Sequence, residues 1–355
     1  MIARRTRGFT LVEMMVSTAV VIVLLSIMVT MTGQTGQMWR YTNAKVEQFR
    51  EARTGFEVVT RRVSQATLNN SWEYRYNSQG LPEKYQRKSD LRFICGPMEE
   101  LMKTANPPRP THGIFFQAPL GRSDVKSSGD PYRGMDSLLN TWGCFLEFGH
   151  DQEFRPSFLN TVSWPLRYRF RLLELTVPSE QLSIYNPSAK DLTWNGWFAA
   201  PLTATGRPVR PLAENIVALV LLPRLAVAEE REREKANKPM LSQDYKYDST
   251  LSNVADPEIN PKNQLPPVVQ VTMVAMDEVS ASRLADRSGA KAPDLKIGAL
   301  FRDAKKLEDN RSTPAAGDGD LDTLQKTLVE LKVNFRVFTA TVPIRGAKWS
   351  RAQSN

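Results

Sequence analysis

The strongest constraint on this 355-residue chain is a run of 26 consecutive uncharged residues, from Met14 to Trp39. Val, Ile, Leu and Met dominate the run as far as Met31. An α-helix rises about 1.5 Å per residue, so about 20 apolar residues span the hydrocarbon core of a bilayer. The run therefore predicts one transmembrane helix. No second run of this kind follows, which excludes a polytopic membrane protein.

The residues before the apolar run predict its orientation. Three arginines precede it: Arg4, Arg5 and Arg7. Positive charge stays on the cytoplasmic side of a membrane, so we expect a cytoplasmic N-terminus and everything after Arg40 on the outer side. These arginines carry three of the nine excess positive charges of the chain. Residues 40–68 carry another three, which leaves about three for the globular domain, so net charge does not predict a nucleic-acid partner.

Two ordinary explanations of this N-terminus are incomplete. A secretory signal peptide also has a basic start and an apolar core, but this run exceeds the usual core length. Ser17-Thr18-Ala19, the nearest small-residue sequence, lies inside the run instead of after it. A plain membrane anchor leaves Glu13 unexplained, because a carboxylate in a spanning segment costs about 2.5–3.5 kcal/mol on insertion scales. Glu13 is therefore expected to have a partner.

The basic leader, Gly8, the sequence Phe9-Thr10-Leu11-Val12-Glu13 and the apolar helix together resemble the class III signal of type IV prepilins and type II secretion pseudopilins. The resemblance implies that prepilin peptidase cuts after Gly8, which lacks a side chain, and that Phe9 becomes an N-methylated N-terminus. It also implies that Glu13 guides assembly. In a filament its carboxylate would pair with the α-amine of a neighbouring subunit's Phe9 and set the stagger between subunits.

The domain boundaries follow from these segments. We predict a leader at 1–8, a transmembrane helix at 9–39, an amphipathic continuation at 40–68 and a β-rich globular domain at 69–355. The continuation shows apolar residues at alternating spacings of three and four. These residues are Phe49, Ala52, Phe56, Val59, Val63 and Ala66. The expected contact of this stripe is the globular domain, with another filament subunit as the alternative.

The region after Trp72 is dominated by candidate strands separated by Pro, Gly, Asn and Asp. The predicted strands are Leu91–Cys95, Gly113–Gln117, Thr141–Phe148, Leu166–Val177, Asn215–Leu222, Val268–Met276 and Val333–Ile344. Helices are predicted at 226–237 and 321–331, the second with Asp320 as its N-cap. Two insertions, about 226–267 and 286–320, are expected to add long loops. The fold class is α+β and pilin-like: a long N-terminal helix followed by a β-rich domain.

A second resemblance concerns the globular domain. The J-type minor pseudopilins have a similar long helix before a mostly β domain, with a Leu-Pro before a strand, here Leu265-Pro266. Several segments also resemble the Verru_Chthon cassette protein C family. They are Gln48–Phe56, Thr60–Leu68, Ser89–Phe93, Leu212–Val217, Arg336–Phe338 and Ala347–Ser350.

Catalytic motifs are not evident in the sequence. His112 and His150 lack neighbouring nucleophile motifs, and neither Gly-x-Ser-x-Gly nor a phosphate-binding loop occurs. We expect no enzyme activity, no catalytic residue and no cofactor. Alternating carboxylates could hold a hard cation, although a solvated loop before the next helix is the preferred interpretation. They are Asp318, Asp320 and Asp322.

Cysteines and arginines give two further expectations. An oxidising compartment would allow a disulfide between Cys95 and Cys144, with two separate buried thiols as the alternative.

Arg167, Arg169 and Arg171 alternate with apolar residues. They predict a strand with a basic, solvated outer face that could also meet an acidic partner or DNA.

These features favour a minor pseudopilin or pilin-like subunit of a type II secretion-like or type IV filament system. The expected partners are prepilin peptidase, other pilin-like subunits and inner-membrane lipid. The expected location is the bacterial inner membrane, with the globular domain in the periplasm. One alternative is a type IV minor pilin acting in adhesion or DNA uptake. Another is a membrane-tethered enzyme that uses the same export signal.

Overall fold

The computed structural model describes residues 10–350 except 104–105, 125–131, 133, 157, 160–164, 186–193, 254 and 308–318. Its first element is helix α1, Leu11–Val63. The chain divides into two compact units, residues 1–48 and 49–355. Within the second unit, the last turns of α1 belong to the core of the globular domain.

Helix α1 ends at Val63, five residues before the predicted end at Leu68. The backbone N–H of Thr67 donates to the carbonyl of Gln117, and the carbonyl of Ser64 accepts from Arg345. These groups bond to other segments of the domain, so they are not available to continue the helix.

Eleven strands form three antiparallel sheets in the described part of the chain. They are β1 (Ser71–Tyr76), β2 (Pro82–Lys88), β3 (Phe93–Pro97), β4 (His112–Pro119), β5 (Leu139–His150), β6 (Tyr168–Val177), β7 (Val209–Glu214), β8 (Ile216–Arg224), β9 (Tyr247–Asp248), β10 (Val268–Met276) and β11 (Phe335–Pro343). The largest sheet has the order β7-β6-β5-β4-β3-β9, the second β11-β10-β8, and β1 and β2 form a separate hairpin.

Five further α-helices have both ends among the described residues. They are α2 (Met98–Leu101), α3 (Gly196–Thr203), α4 (Val227–Lys235), α5 (Glu278–Ser288) and α6 (Asp320–Glu330). The predicted strands and the two predicted helices are therefore confirmed, with shifts of a few residues at their ends. An apolar N-terminal helix followed by a β-rich domain confirms the α+β, pilin-like class.

The main hydrophobic core lies between α1 and the two larger sheets. The predicted stripe contributes Ala52, Phe56, Val59 and Val63, all buried, while Phe49 packs at its margin. Phe116 from the six-stranded sheet and Val271 from the three-stranded sheet belong to the same cluster. The prediction that this stripe packs on the globular domain is thus confirmed.

Each large sheet also has its opposite face covered. Helix α3 packs Trp197 and Phe198 on the six-stranded sheet. Helices α5 and α6 pack on the three-stranded sheet through residues that include Leu284 and Leu328. Because both faces are covered, strand β8 is buried along almost its whole length, which explains its continuous apolar sequence.

The two insertions contribute to the core as well as to loops. In the first, Tyr247 of β9 is buried and extends the six-stranded sheet at its β3 edge. In the second, Phe301 and Leu307 are buried in the cluster beneath the three-stranded sheet. The sequence suggested only loops because both segments are mostly polar, and the apolar residues that anchor them are widely spaced.

Gly143 of β5 permits a close aromatic contact inside the six-stranded sheet. A Cβ at this position would lie 2.2 Å from Cδ1 of Phe115 and 3.2 Å from the carbonyl oxygen of Ile114. The Phe115 ring is itself stacked on Phe198, with ring centroids 4.1 Å apart. The ring therefore cannot move away from strand β5 without breaking its contact with α3.

We predict that Gly143→Ala lowers the free energy of unfolding by about 1–3 kcal/mol, because overpacking forces a buried ring and its strand apart. Gly149→Ala is the matched control on the same strand, since nothing lies within 4 Å of its added Cβ. Denaturant unfolding of the full chain in detergent measures the free energy of unfolding of both variants. Equal effects of the two substitutions would contradict this packing argument.

His112 connects the two large sheets through its side chain. Its Nδ1 accepts from the backbone N–H of Leu221 at 3.0 Å, so its Nε2 carries the proton and donates to the carbonyl of Phe301 at 3.0 Å. Burial lowers the pKa of His112 to about 4. The imidazole is therefore neutral and holds β4, β8 and the second insertion together.

We predict that the protein loses stability as the pH falls from about 6.5 to about 4. Over this range His112 takes up a proton in the unfolded chain but not in the folded one, which costs about 3 kcal/mol.

Unfolding of the wild type and His112→Asn at pH 7 and pH 4.5 measures this contribution. The variant should be less stable at pH 7 and lose less on acidification, whereas His150→Asn, at an exposed residue, should behave as the wild type. An unchanged pH dependence in His112→Asn would contradict the assignment.

Candidate functional site

The described N-terminus begins with a reciprocal cap between Thr10 and Glu13. Oε2 of Glu13 accepts from the backbone N–H of Thr10 at 2.8 Å and from its hydroxyl at 2.9 Å. The N–H of Glu13 donates to the Thr10 hydroxyl oxygen at 3.3 Å. This is a capping box, which bonds two N–H groups that the helix itself leaves unpaired. Its sequence signal is Thr-x-x-Glu, here Thr10 to Glu13.

The cap changes the interpretation of Glu13. Its carboxylate stabilises the start of α1 within its own chain through one oxygen, Oε2. The positive end of the helix dipole also favours a carboxylate in this first turn. A cut between Gly8 and Phe9 would leave the cap intact, because both of its residues follow that bond.

The segment after the cap has the length and composition of a membrane span. Leu11–Gly36 is a candidate span of 26 residues, and none of its apolar window is buried. Hydroxyl side chains within it donate to carbonyls of the same helix, as Ser17 does to Glu13 at 2.7 Å and Thr30 to Ser26 at 2.8 Å. Such bonds pair polar groups that hydrocarbon cannot solvate.

The processing residues themselves lie outside the described part of the chain. Gly8 and Phe9, at the expected cut, precede residue 10, and so do Arg4, Arg5 and Arg7. Their roles stay predictions from the sequence. Asp318, one of the three candidate cation ligands, also lies outside the described residues.

The structure gives Asp320 a structural contact. Its carboxylate accepts from the backbone N–H of Phe301 at 2.8 Å, which ties the second insertion to the start of α6. The N-cap of α6 is Gly319 and not Asp320, so that detail of the prediction was wrong. The described residues contain no group of three His, Cys, Asp or Glu side chains arranged to hold a metal ion.

The candidate disulfide between Cys95 and Cys144 does not form in this structure. Both residues are free, buried thiols. Ile114 of β4 pairs with Cys95 on one side and with Cys144 on the other. The cysteines are thus two strand spacings apart, about 10 Å, beyond the reach of a disulfide. Burial raises the pKa of both thiols, so neither is a reactive thiolate.

The arginine row does not form the solvated face that we predicted. Arg169 and Arg171 are buried, whereas the side chain of Arg167 is about half exposed. Nε of Arg171 donates to Oε1 of Glu214 at 3.0 Å, and Nη2 of Arg169 donates to Glu278 at 3.0 Å. The prediction failed because strand alternation cannot reveal that carboxylates from β7 and α5 cover this face.

The contacts of Arg169 and Asn215 with Glu278 also fix the protonation state of this carboxylate. Burial opposes its ionisation, but hydrogen bonds from Arg169 and Asn215 outweigh burial and hold its pKa below the usual value. Glu278 therefore stays ionised and joins the start of α5 to β6 and to the β7–β8 connection. These charges are structural contacts, and they are not available to an acidic partner.

A cleft of about 460 Å³ brings several ionisable groups together at the end of β5. Arg207 makes two bonds to Glu147, at 2.5 and 2.8 Å, and also binds Glu153. Burial opposes the charge of Arg207, but bonds to the two carboxylates outweigh it and raise its pKa. Nε of Arg109 donates to Glu147 as well, at 2.9 Å. Arginine thus pairs with both carboxylates, which leaves neither as an evident catalytic base.

The comparisons with known proteins bear on the N-terminal segment. A family model described as the prokaryotic N-terminal methylation motif matches residues 3–32. The chain has no significant match among curated proteins or among solved structures. The motif and the one candidate span among the described residues together indicate a membrane-anchored substrate of prepilin peptidase and imply assembly with other pilin-like subunits. They support a relation to the type IV pilin-like proteins.

Proposed function

We propose that the protein is a minor pseudopilin-type subunit of a type II secretion-like or type IV filament system. In this proposal the chain resides in the inner membrane, prepilin peptidase removes residues 1–8, and the N-terminal helix then packs into a filament. The observation that carries the proposal is the methylation motif at 3–32, which coincides with a capped, unburied apolar helix.

The absence of burial along the span supports assembly through this helix. A helix hydrophobic on all sides belongs in lipid or in a bundle of similar helices. Leu11–Gly36 has no partner within its own described unit that covers it. Bilayer lipid before assembly and the helices of other subunits afterwards are the environments that suit such a surface.

The globular domain supports a minor role in the filament. It comprises two large sheets, a hairpin and two insertions, and so is bulky for a dense helical array. A low-copy position at the tip or at initiation accommodates this bulk. The three arginines before the span favour placing this domain in the periplasm. Kinship with the Verru_Chthon cassette protein C family stays a prediction from the sequence segments.

The DNA-uptake alternative receives little support from the arginine row. Arg169 and Arg171, which could have met phosphate groups, are buried against carboxylates. Binding to DNA depends on accessible cations that release counterions. We therefore favour protein partners for the globular domain.

Glu13 has two roles in this proposal, and they are separable. One is the local cap with Thr10; the other is the charge that would pair with the α-amine of a neighbouring Phe9. Gln at the same position can still accept the Thr10 N–H bond but carries no charge. Val can neither accept the bond from Thr10 nor carry a charge. Thr10→Ala weakens the cap and keeps the charge.

We predict that Glu13→Gln and Glu13→Val both insert and are cleaved, yet both lose co-assembly by about tenfold or more. Thr10→Ala should assemble at close to the wild-type level, because it retains the carboxylate. The measurement is the recovery of each variant in filaments isolated from cells that express the remaining subunits. Wild-type recovery of Glu13→Gln would show that the cap alone matters and would overturn the charge-pairing role.

A further inference from the structure

We propose that the β1–β2 hairpin, Ser71–Lys88, is a self-association surface at which strand β1 pairs antiparallel with β1 of a second copy. The inference concerns the globular domain and is independent of the role of the N-terminal helix. It follows from the open edge of β1, from an exposed aromatic face and from a strand sequence that complements itself.

The hairpin is separate from both large sheets. Among the described residues its two strands pair only with each other, so one edge of β1 has no described strand beside it. All six residues of β1 are exposed. A two-stranded hairpin is marginally stable in water, and an unpaired edge invites another strand. Side-chain contacts across the two strands supplement their backbone pairing.

One face of the hairpin is an aromatic ladder. The rings of Trp72 and Tyr85 stack with centroids 5.1 Å apart, and Tyr74 lies 5.0 Å from Tyr85. The guanidinium of Arg87 lies over Trp72 at 5.6 Å. These contacts hold the two strands together, but Trp72, Tyr74, Tyr76 and Tyr85 stay between 45% and 61% exposed. Exposed aromatic groups of this kind mark interaction surfaces.

The β1 sequence, Ser-Trp-Glu-Tyr-Arg-Tyr, complements itself about Tyr74. In a two-fold antiparallel pair centred on Tyr74, Glu73 of each copy lies opposite Arg75 of the other. On the aromatic face, Trp72 then lies opposite Tyr76, and Tyr74 lies opposite itself. Opposite charges and aromatic pairs at facing positions both stabilise a strand pair. Such an isologous contact closes at two copies.

Strand β2 lacks these properties, so only one edge of the hairpin is suited to pairing. It begins with Pro82, which has no N–H to donate, and it carries Lys84 and Lys88. Nδ2 of Asn263 already donates to the carbonyl of Arg87 at 2.6 Å. Pro and Lys are residues that proteins use to block sheet edges. Pairing through β1 therefore yields a four-stranded sheet with protected outer edges.

The strand pair is small, so the association is expected to be weak in isolation. Stable interfaces bury about 800 Å² per partner, more than the five paired residues of β1 provide. Cross-linking is therefore the appropriate measurement. Directly opposed residues have Cα atoms about 4.5–5.5 Å apart, within the range of a disulfide. The native cysteines are buried and do not compete.

The first test is oxidation of the full-length Tyr74→Cys variant in detergent micelles. We expect a disulfide-linked dimer of the chain. Tyr85→Cys is the matched control, because it lies on the same face one strand away, and its copies would be about 14 Å apart. Equal cross-linking of the two variants, or cross-linking of neither, would overturn the proposal.

The second test reverses the facing charges in the Tyr74→Cys background. Glu73→Arg or Arg75→Glu alone places like charges opposite each other, and either should slow cross-linking by roughly tenfold. The double swap restores the facing pairs and should restore the rate. An equimolar mixture of the two single variants should form mixed dimers.

The internal ion pairs of the hairpin provide the control for this second test. Glu73 pairs with Lys88 and Arg75 with Glu83 within one copy, both exposed. The double swap still breaks these internal pairs, so its recovery would be due to the contact between copies. A double swap that stays as slow as the single variants would contradict pairing at this edge.

Discussion

The globular domain depends on the contact between one face of α1 and the two large sheets. Ala52, Phe56, Val59 and Val63 recur at helical spacing and are buried in a cluster shared by both sheets. Neither sheet could bury this inner face without the helix, and the helix could not bury its stripe without the sheets. Because the same helix begins at Leu11 with the candidate membrane span, it serves both the packing of the domain and the expected anchoring of the chain.

Charge in this molecule mainly joins elements within the fold. Arg171 binds Glu214, Arg207 binds Glu147, and within the first insertion Arg233 of α4 binds Glu258. Each of these arginine side chains is at most 13% exposed, so removing its carboxylate leaves a largely buried charge uncompensated, which is destabilising. The excess of basic residues is therefore a poor guide to a partner, since some belong to the predicted leader and others are paired inside the domain.

Sequence patterns predicted the elements that have a single, strong period. The α1 stripe and the apolar strands such as β8 and β10 followed from alternation and helical spacing. Helix α5 was missed because its apolar face is narrow and interrupted by polar residues, with Ala281 and Leu284 as its buried contacts. The hairpin was missed although Trp72, Tyr74 and Tyr76 alternate with polar residues, the usual signal of a strand.

At the candidate site, too, the features that the sequence revealed rest on neighbouring residues, and most of those that it did not reveal rest on distant ones. The motif around Gly8 and Glu13 was readable because it depends on neighbouring residues. The cap from Thr10 is equally local, but it was not predicted. Features that depend on distant pairing were not readable. Ile114 separates Cys95 from Cys144, and Glu278 covers Arg169 from more than a hundred residues away. No spacing along the sequence encodes either contact.

The proposed function requires the N-terminus to be a processed membrane anchor. Mass spectrometry of the full chain, purified from cells with and without an active prepilin peptidase, determines whether it is. We expect a mature chain that begins at N-methylated Phe9 only where the peptidase is active, and a retained leader in Gly8→Val, whose side chain obstructs the cut. An N-terminus beyond Ala19, as a secretory signal peptide would leave, or an intact leader in the presence of the peptidase, would rule out this processing.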